Sequence, residues 1–231
     1  MRVARYAVVL AVALATAVAD QSSSAQAQSL TVPTQPSLLT EYGRALAIEA
    51  LGSPDREVRF RAVGAFERFD PGLVAEALIP VLKQSTIPLQ RAAIVTILGE
   101  GVPRIYDIDA DQQSPLVTTA LASILDSAAD SSPVVRRAVV DVITMLGKTE
   151  QDAPASPDYG LDPAIPVLGR LLGDRDVTIR LAVIDALAAL NDPSRRTLEG
   201  TLRRGLSDAD PRVRQRARKA IAGLKRAASD R

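Results

Sequence analysis

The chain contains no histidine and no cysteine. That removes the imidazole base, the thiolate nucleophile and the Ser-His-Asp arrangement from its repertoire. It also removes zinc sites built on His or Cys, and disulfides. Three carboxylates, Asp107, Asp109 and Asp111, stand at alternate positions, as at the start of a calcium loop. Such a loop then needs Gly at its sixth position and Glu at its twelfth. Here those positions hold Gln112 and Thr118, so the segment reads as a solvated acidic stretch and no metal is expected. No glycine-rich phosphate loop of common spacing is present. A paired-carboxylate hydrolase needs aromatic walls for a sugar, and this chain has no Trp and only 3% aromatics. No catalytic residue and no cofactor are expected.

What remains is chemistry for binding. Beyond Tyr6 the chain has three tyrosines, Tyr42, Tyr106 and Tyr159. Two of them lie among acids: Tyr106 beside Asp107, Asp109 and Asp111, and Tyr159 beside Glu150, Asp152 and Asp158. Tyrosine offers large rigid contact area with a polar tip. The pair therefore predicts an acidic, tyrosine-anchored patch for a basic segment of a partner protein, with two acidic linkers as the alternative. At the other extreme, Arg203–Arg231 carries ten Arg and Lys against Asp208, Asp210 and Asp230. Arg212, Arg216 and Lys219 are the candidate anion-binding residues there, for anionic lipid headgroups or an acidic protein. The alternative is a polar cap on a terminal repeat.

These residues must be held by repeated helices. Arg59, Arg91, Arg136, Arg180 and Arg214 occupy one position in one apolar pattern. Small or apolar residues follow at fixed offsets: Ala65, Phe66 and Phe69; Val142, Ile143 and Leu146; Ala186, Leu187 and Leu190; Ala220, Ile221 and Leu224, with only Ile97 and Leu98 after Arg91. Such a period predicts a stacked solenoid rather than one closed core. Asp70-Pro71, Ser114-Pro115, Ser132-Pro133, Asp162-Pro163, Asp192-Pro193 and Asp210-Pro211 read as helix starts, a capping side chain followed by Pro at the first helical position. The pattern predicts first helices (A) near 37–52, 71–84, 114–127, 161–173 and 194–206. It predicts second helices (B) near 55–69, 87–99, 132–147, 176–190 and 210–226. Segments 100–113 and 148–160 are then long connections on one edge of the array, one repeat apart.

The stretches Asp55-Arg56-Glu57-Val58-Arg59, Asp176-Val177-Thr178-Ile179-Arg180 and Asp210-Pro211-Arg212-Val213-Arg214 resemble the openings of HEAT-repeat B-helices. Pro80 and Pro166 match the family's internal A-helix proline. The second repeat departs from the pattern with Ile87 and Gln90, and the third with Ser132. The resemblance covers about 37–226 and implies an all-α solenoid of about five HEAT-like helix pairs that binds another protein as a non-catalytic adaptor. It also implies a structural ladder in which the repeated Arg bonds a neighbouring Asp or carbonyl, with Arg59, Arg136, Asp141, Arg180, Asp185 and Arg214 as members and Arg136–Asp141 and Arg180–Asp185 as pairs. Some HEAT-like proteins grouped with bilin lyases attach pigments to proteins. Beyond the shared repeats, no residue here carries that chemistry.

The N-terminus reads as an export signal. Arg2 and Arg5 precede an apolar run, Tyr6 to Val18, that is shorter than the ~20 residues of a membrane span. Ala17-Val18-Ala19 and Ala25-Gln26-Ala27 are small-x-small cleavage sites. The expected organisation is a signal peptide at 1–27, a flexible leader at 28–36, the array at 37–226 and a tail at 227–231. Localisation would be periplasmic or secreted. Export makes nucleic acid an unexpected partner.

Overall fold

The computed structural model describes residues 45–67, 69–108, 115–152, 158–190 and 195–229. The proposed signal and leader, and the Asp192-Pro193 start, lie outside them. Among the described residues every regular element is helical. We number them α1 (residues 45–50), α2 (Arg56–Phe66), α3 (Pro71–Gln84), α4 (Pro88–Ile108), α5 (Pro115–Asp126), α6 (Pro133–Asp152), α7 (Ala164–Leu171), α8 (Val177–Ala189), α9 (Arg195–Arg204) and α10 (Pro211–Ser229). Odd-numbered helices are the A-helices and even-numbered ones the B-helices of five pairs. The B-helices α4, α6, α8 and α10 pack on one another in sequence order. None of the described helices is long and apolar enough to cross a membrane.

Local chemistry sets the starts. Asp70 accepts a hydrogen bond from the Leu73 amide at 3.0 Å and is followed by Pro71 at the first helical position. Asp55, Asp176 and Asp210 accept from the amides of Glu57, Thr178 and Arg212, each at 2.8 Å. Each such cap is worth about 1 kcal/mol. Asp162 departs from this: α7 begins at Ala164, and the Asp162 carbonyl, not its side chain, takes the Ile165 amide. The core then forms from the repeated stripe. Val142, Ile143, Leu146, Ala186, Leu187 and Leu190 are all buried in one continuous apolar cluster.

The departures in the second repeat have a structural reason. Gln90 is buried; its amide donates to the Ile48 carbonyl and its oxygen accepts from the Ser85 hydroxyl, both at 2.6 Å. Ser85 in turn accepts the Ile87 amide at 3.1 Å. A polar stitch to the previous pair thus replaces the usual Asp cap.

The five arginines adopt one conformation. Nη1 of Arg59, Arg91, Arg136, Arg180 and Arg214 donates to the carbonyl six residues earlier, at 2.7, 2.9, 2.9, 2.8 and 2.7 Å. This ties each B-helix to the loop that precedes it. Three of them also fork onto the loop aspartate of the next repeat. Arg91 reaches Asp130 at 2.7 and 2.9 Å, Arg136 reaches Asp174 at 2.6 and 3.0 Å, and Arg180 reaches Asp208 at 2.8 and 3.0 Å. Each aspartate also accepts the amide two residues on, at 2.8, 2.9 and 2.8 Å.

The ladder therefore differs from the expected pairing: Arg136 does not meet Asp141, nor Arg180 Asp185. Five residues along a helix is about 500° of rotation, so those carboxylates sit well off the arginine's face. Asp141 pairs instead with Arg137 and Asp185 with Arg216. The forked guanidinium hydrogen bonds hold the Asp130, Asp174 and Asp208 carboxyls below the usual range, against the opposing effect of desolvation.

Helix runs into the start of both expected connections. α4 continues to Ile108 and α6 to Asp152. Gly99, Gly101 and Pro103 read as breakers in sequence, but Val102 and Ile105 are buried and Tyr106 packs against the core, which outweighs local propensity. Pro103 inside α4 has no amide for the Gly99 carbonyl, and its ring crowds that carbonyl, a local cost that the burial of its neighbours outweighs. Gly99 has its own task. A Cβ there would collide with the Val142 side chain on α6, so the glycine lets α4 and α6 approach closely.

Candidate functional site

The extended ends of α4 and α6 bring the two acidic tyrosine segments together. Tyr106, in the last turns of α4, meets Tyr159 edge-to-face, with ring centroids 5.3 Å apart and planes at 88°. This is the T-shaped geometry favoured by the ring quadrupoles. Tyr159 sits in a tight turn. Asp158 accepts the Gly160 amide at 2.9 Å, and Gly160 takes φ +70°, which lets the chain reverse into α7. The Tyr159 amide donates to Glu150 Oε1 at 2.9 Å, tying the turn to the end of α6.

This pair closes one part of a groove of about 470 Å³. Val117, Leu121 and Leu125 of α5 line it, with Pro163 and Val167 from the α7 side. Thr118 and Ala122 are exposed on α5, and Asp126 and Asp158 supply carboxylates. The groove is apolar along its length and acidic at its margins. Behind it Glu150 is only 6% exposed, and burial, with the Asp158 and Asp162 charges adding to it, pushes its carboxyl up to about 6 against the opposing Tyr159 amide. Chemically, such a groove suits a cation carried on an apolar stem: the stem meets aliphatic and aromatic carbon, and the charge meets Asp126 and Asp158. Among the described residues no cluster of acids has metal-binding geometry.

The sequence-derived candidates divide. Tyr106, Tyr159 and Asp158 come together as one site. Tyr159 is 4% exposed, so it is a buried wall of the groove rather than an exposed anchor. The aromatic contact and the Glu150 hydrogen bond explain that burial. Asp107 lies in the last turn of α4, and Asp109 and Asp111 fall outside the described residues. Leu121 and Asp126 are groove residues that the sequence does not single out, because a leucine in an apolar stripe reads as core and a carboxylate at a helix end as capping charge; Glu150, an acid of the expected patch, lies buried behind the groove.

The basic candidates are rearranged. Arg212 forms a forked pair with its own helix cap, at 3.1 and 2.8 Å from Asp210. Arg216 reaches Asp185 of α8 at 2.9 Å. Of the three anion-binding candidates only Lys219 lacks an acid partner among the described residues.

A family model for HEAT repeats matches residues 118–222. Among solved structures, the complex of CpcE and CpcF of phycocyanin lyase from Nostoc sp. PCC7120 is 22% identical, covering 78% of this chain and 98% of that one, with a TM-score of 0.54. A designed armadillo repeat protein in complex with the peptide (KR)4 is 19% identical, covering 81% of this chain and 84% of that one, with a TM-score of 0.48. No curated protein matches the chain. The five helix pairs, the arginine register, the family model and the likeness to the CpcE–CpcF complex agree on one architecture, an all-α solenoid.

Proposed function

We propose that this protein, which belongs to the HEAT-repeat family, is an exported, non-catalytic adaptor that captures a basic segment of a partner protein in the groove between α5 and α7. The carrying observation is the groove itself: an apolar channel walled by Tyr106 and Tyr159 and flanked by Asp126 and Asp158. An Arg or Lys side chain matches it, stem against Leu121 and Leu125 and charge against the carboxylates. Export is supported by Arg2, Arg5, the Tyr6–Val18 run and the two small-x-small sites. A mature N-terminus at Asp20 or Gln28, read by mass spectrometry, tests it.

The binding test uses a fluorescent Arg/Lys-rich peptide and its Glu-substituted counterpart. The basic peptide should bind and the acidic one should not. Ala122→Arg fills the groove with a like charge from an exposed position and should abolish binding without loss of helix. Asp126→Asn and Asp158→Asn should each weaken it by about 1 kcal/mol, the scale of a partly exposed charge pair. Unchanged binding in Ala122→Arg would send the search to the B-helix face.

Anionic lipid is the weaker second reading. Arg212 and Arg216 are already paired with carboxylates, so the candidates offer less free charge than their number suggests. CpcE–CpcF belongs to a phycocyanin lyase, and a lyase role for this chain is a further reading that no residue of the groove specifically favours.

A further inference from the structure

The arginine ladder ends on an arginine whose fork is empty. Arg214 repeats the conformation of the others: Nη1 donates to the carbonyls of Asp208 and Ala209 at 2.7 and 2.8 Å. In Arg91, Arg136 and Arg180 the remaining edge, Nε and Nη2, grips a carboxylate of the following repeat. That edge of Arg214 has no partner among the described residues. Arg59 also lacks a carboxylate, but the next repeat follows it and puts Ser85 at the equivalent loop position.

The rest of α10 shows what can lie against this edge. Val95, Val140 and Ile184 stand four residues after their arginines and are fully buried. Ile184 packs toward Gly205 of the repeat that follows. The equivalent residue of α10 is Arg218, which is exposed. A guanidinium at that position does not accept another apolar helix pair, because the desolvation cost has no compensating contact. Arg214 and Arg218 lie one turn apart on the same face. No acid occurs between Pro211 and Ser229. The end of the array therefore presents two guanidinium groups, one already oriented.

We propose that this end face is a docking site for an acidic segment of a partner protein, with one carboxylate gripped by the Nε/Nη2 edge of Arg214 in the geometry of the three internal rungs and a second carboxylate met by Arg218. The oriented fork matters. Its stem is fixed by the carbonyl bonds, so little side-chain freedom is lost on binding, and its planar donors match a carboxylate bidentately. The site is distinct from the acidic groove in both position and sign, and it places the free positive charge on Arg214 and Arg218 rather than on Arg212 and Arg216.

The test uses the whole chain with a fluorescent peptide of alternating Asp and Gly, at low salt, in competition with phosphatidylglycerol vesicles. Wild type should bind the peptide. Arg214→Lys keeps the charge and removes the fork; it should weaken binding about tenfold, the equivalent of one charged hydrogen bond. Arg218→Ala is an exposed change that leaves the fold intact and should weaken binding about fivefold by the same scale. Arg212→Ala and Arg216→Ala should change it less than about twofold, being already paired. Ala122→Arg in the groove should leave it unchanged, so the two sites fail separately. No binding by wild type overturns the proposal. So does equal loss in all four arginine variants, which signals diffuse charge, or vesicle binding that the peptide does not displace, which signals a membrane surface.

Discussion

The two layers of this solenoid solve the same stacking problem differently. In the B-layer each helix from α4 to α8 is locked to the next by a rung: a forked Arg–Asp pair with both side chains at most 16% exposed, set beside close helix contact. Among the described residues the A-layer has no such rung, and between α5 and α7 the layer parts into the groove walled by Tyr106 and Tyr159. The lesson is a division of labour. The layer that carries a repeated bond holds the array together, which leaves the other layer free to open where binding needs space. Repeat arrays are suited to this, since each interface contributes its own stability.

The largest effect expected from this contrast is on a rung. Arg136→Ala leaves the nearly buried Asp174 carboxylate unpaired and should cost about 3–5 kcal/mol. Its neighbour Arg137, in an exposed i,i+4 pair with Asp141, should cost less than ~0.5 kcal/mol when changed to Ala. Urea denaturation measures both. Equal costs would show that the rungs do not hold the B-layer.

A smaller effect tests the close packing beside the rungs. A Cβ on Gly147 of α6 would lie 2.6 Å from the Ala189 carbonyl oxygen, a backbone atom that cannot swing aside. Gly147→Ala should therefore destabilise by about 1–3 kcal/mol. On the A-layer Gly200 of α9 meets nothing within 4 Å. Gly200→Ala should stabilise by about 0.5–1 kcal/mol, the helix-propensity difference alone. Thermal melts of the two variants should move in opposite directions.

The same division explains what the sequence made legible. Arg59, Arg91, Arg136, Arg180 and Arg214 recur with an apolar stripe, so helix pairing, register and the HEAT likeness could be read directly. The acid end of each rung could not. Asp130, Asp174 and Asp208 lie 39, 38 and 28 residues from their arginines, in loops whose spacing varies. The HEAT resemblance implies Asp141 and Asp185 instead, five residues along the helix and off the arginine's face. For the groove, Tyr106, Tyr159 and the acids around them were visible, and so was the adjacency of their segments. Their burial was not, because it depends on α4 running through Gly99, Gly101 and Pro103, where propensity argues for an end.

The last prediction concerns Glu150, which joins the two layers by bonding the Tyr159 turn to the end of α6. Its carboxyl is raised to about 6, with burial as the main cause. An acid whose pKa is higher folded than unfolded favours the folded state when protonated. Its destabilising effect therefore appears as pH rises from about 4.3, the unfolded value, to about 6, and persists above that. The rung aspartates act in the opposite sense: their lowered values contribute stability that is lost as pH falls through the ordinary carboxylate range. Stability should peak near pH 5 and decline on both sides. Glu150→Gln keeps an oxygen for the Tyr159 amide and removes the charge, so it should raise stability at pH 7 by about 1–2 kcal/mol and change it little at pH 4.5. If a cation occupies the groove, it should favour the Glu150 carboxylate. Wild type should then release protons on binding the basic peptide at pH 6, while Glu150→Gln releases fewer. Calorimetry in buffers of different ionisation enthalpy measures this. Equal proton release by the two proteins would mean that Glu150 supports the Tyr159 turn without sensing what the groove holds.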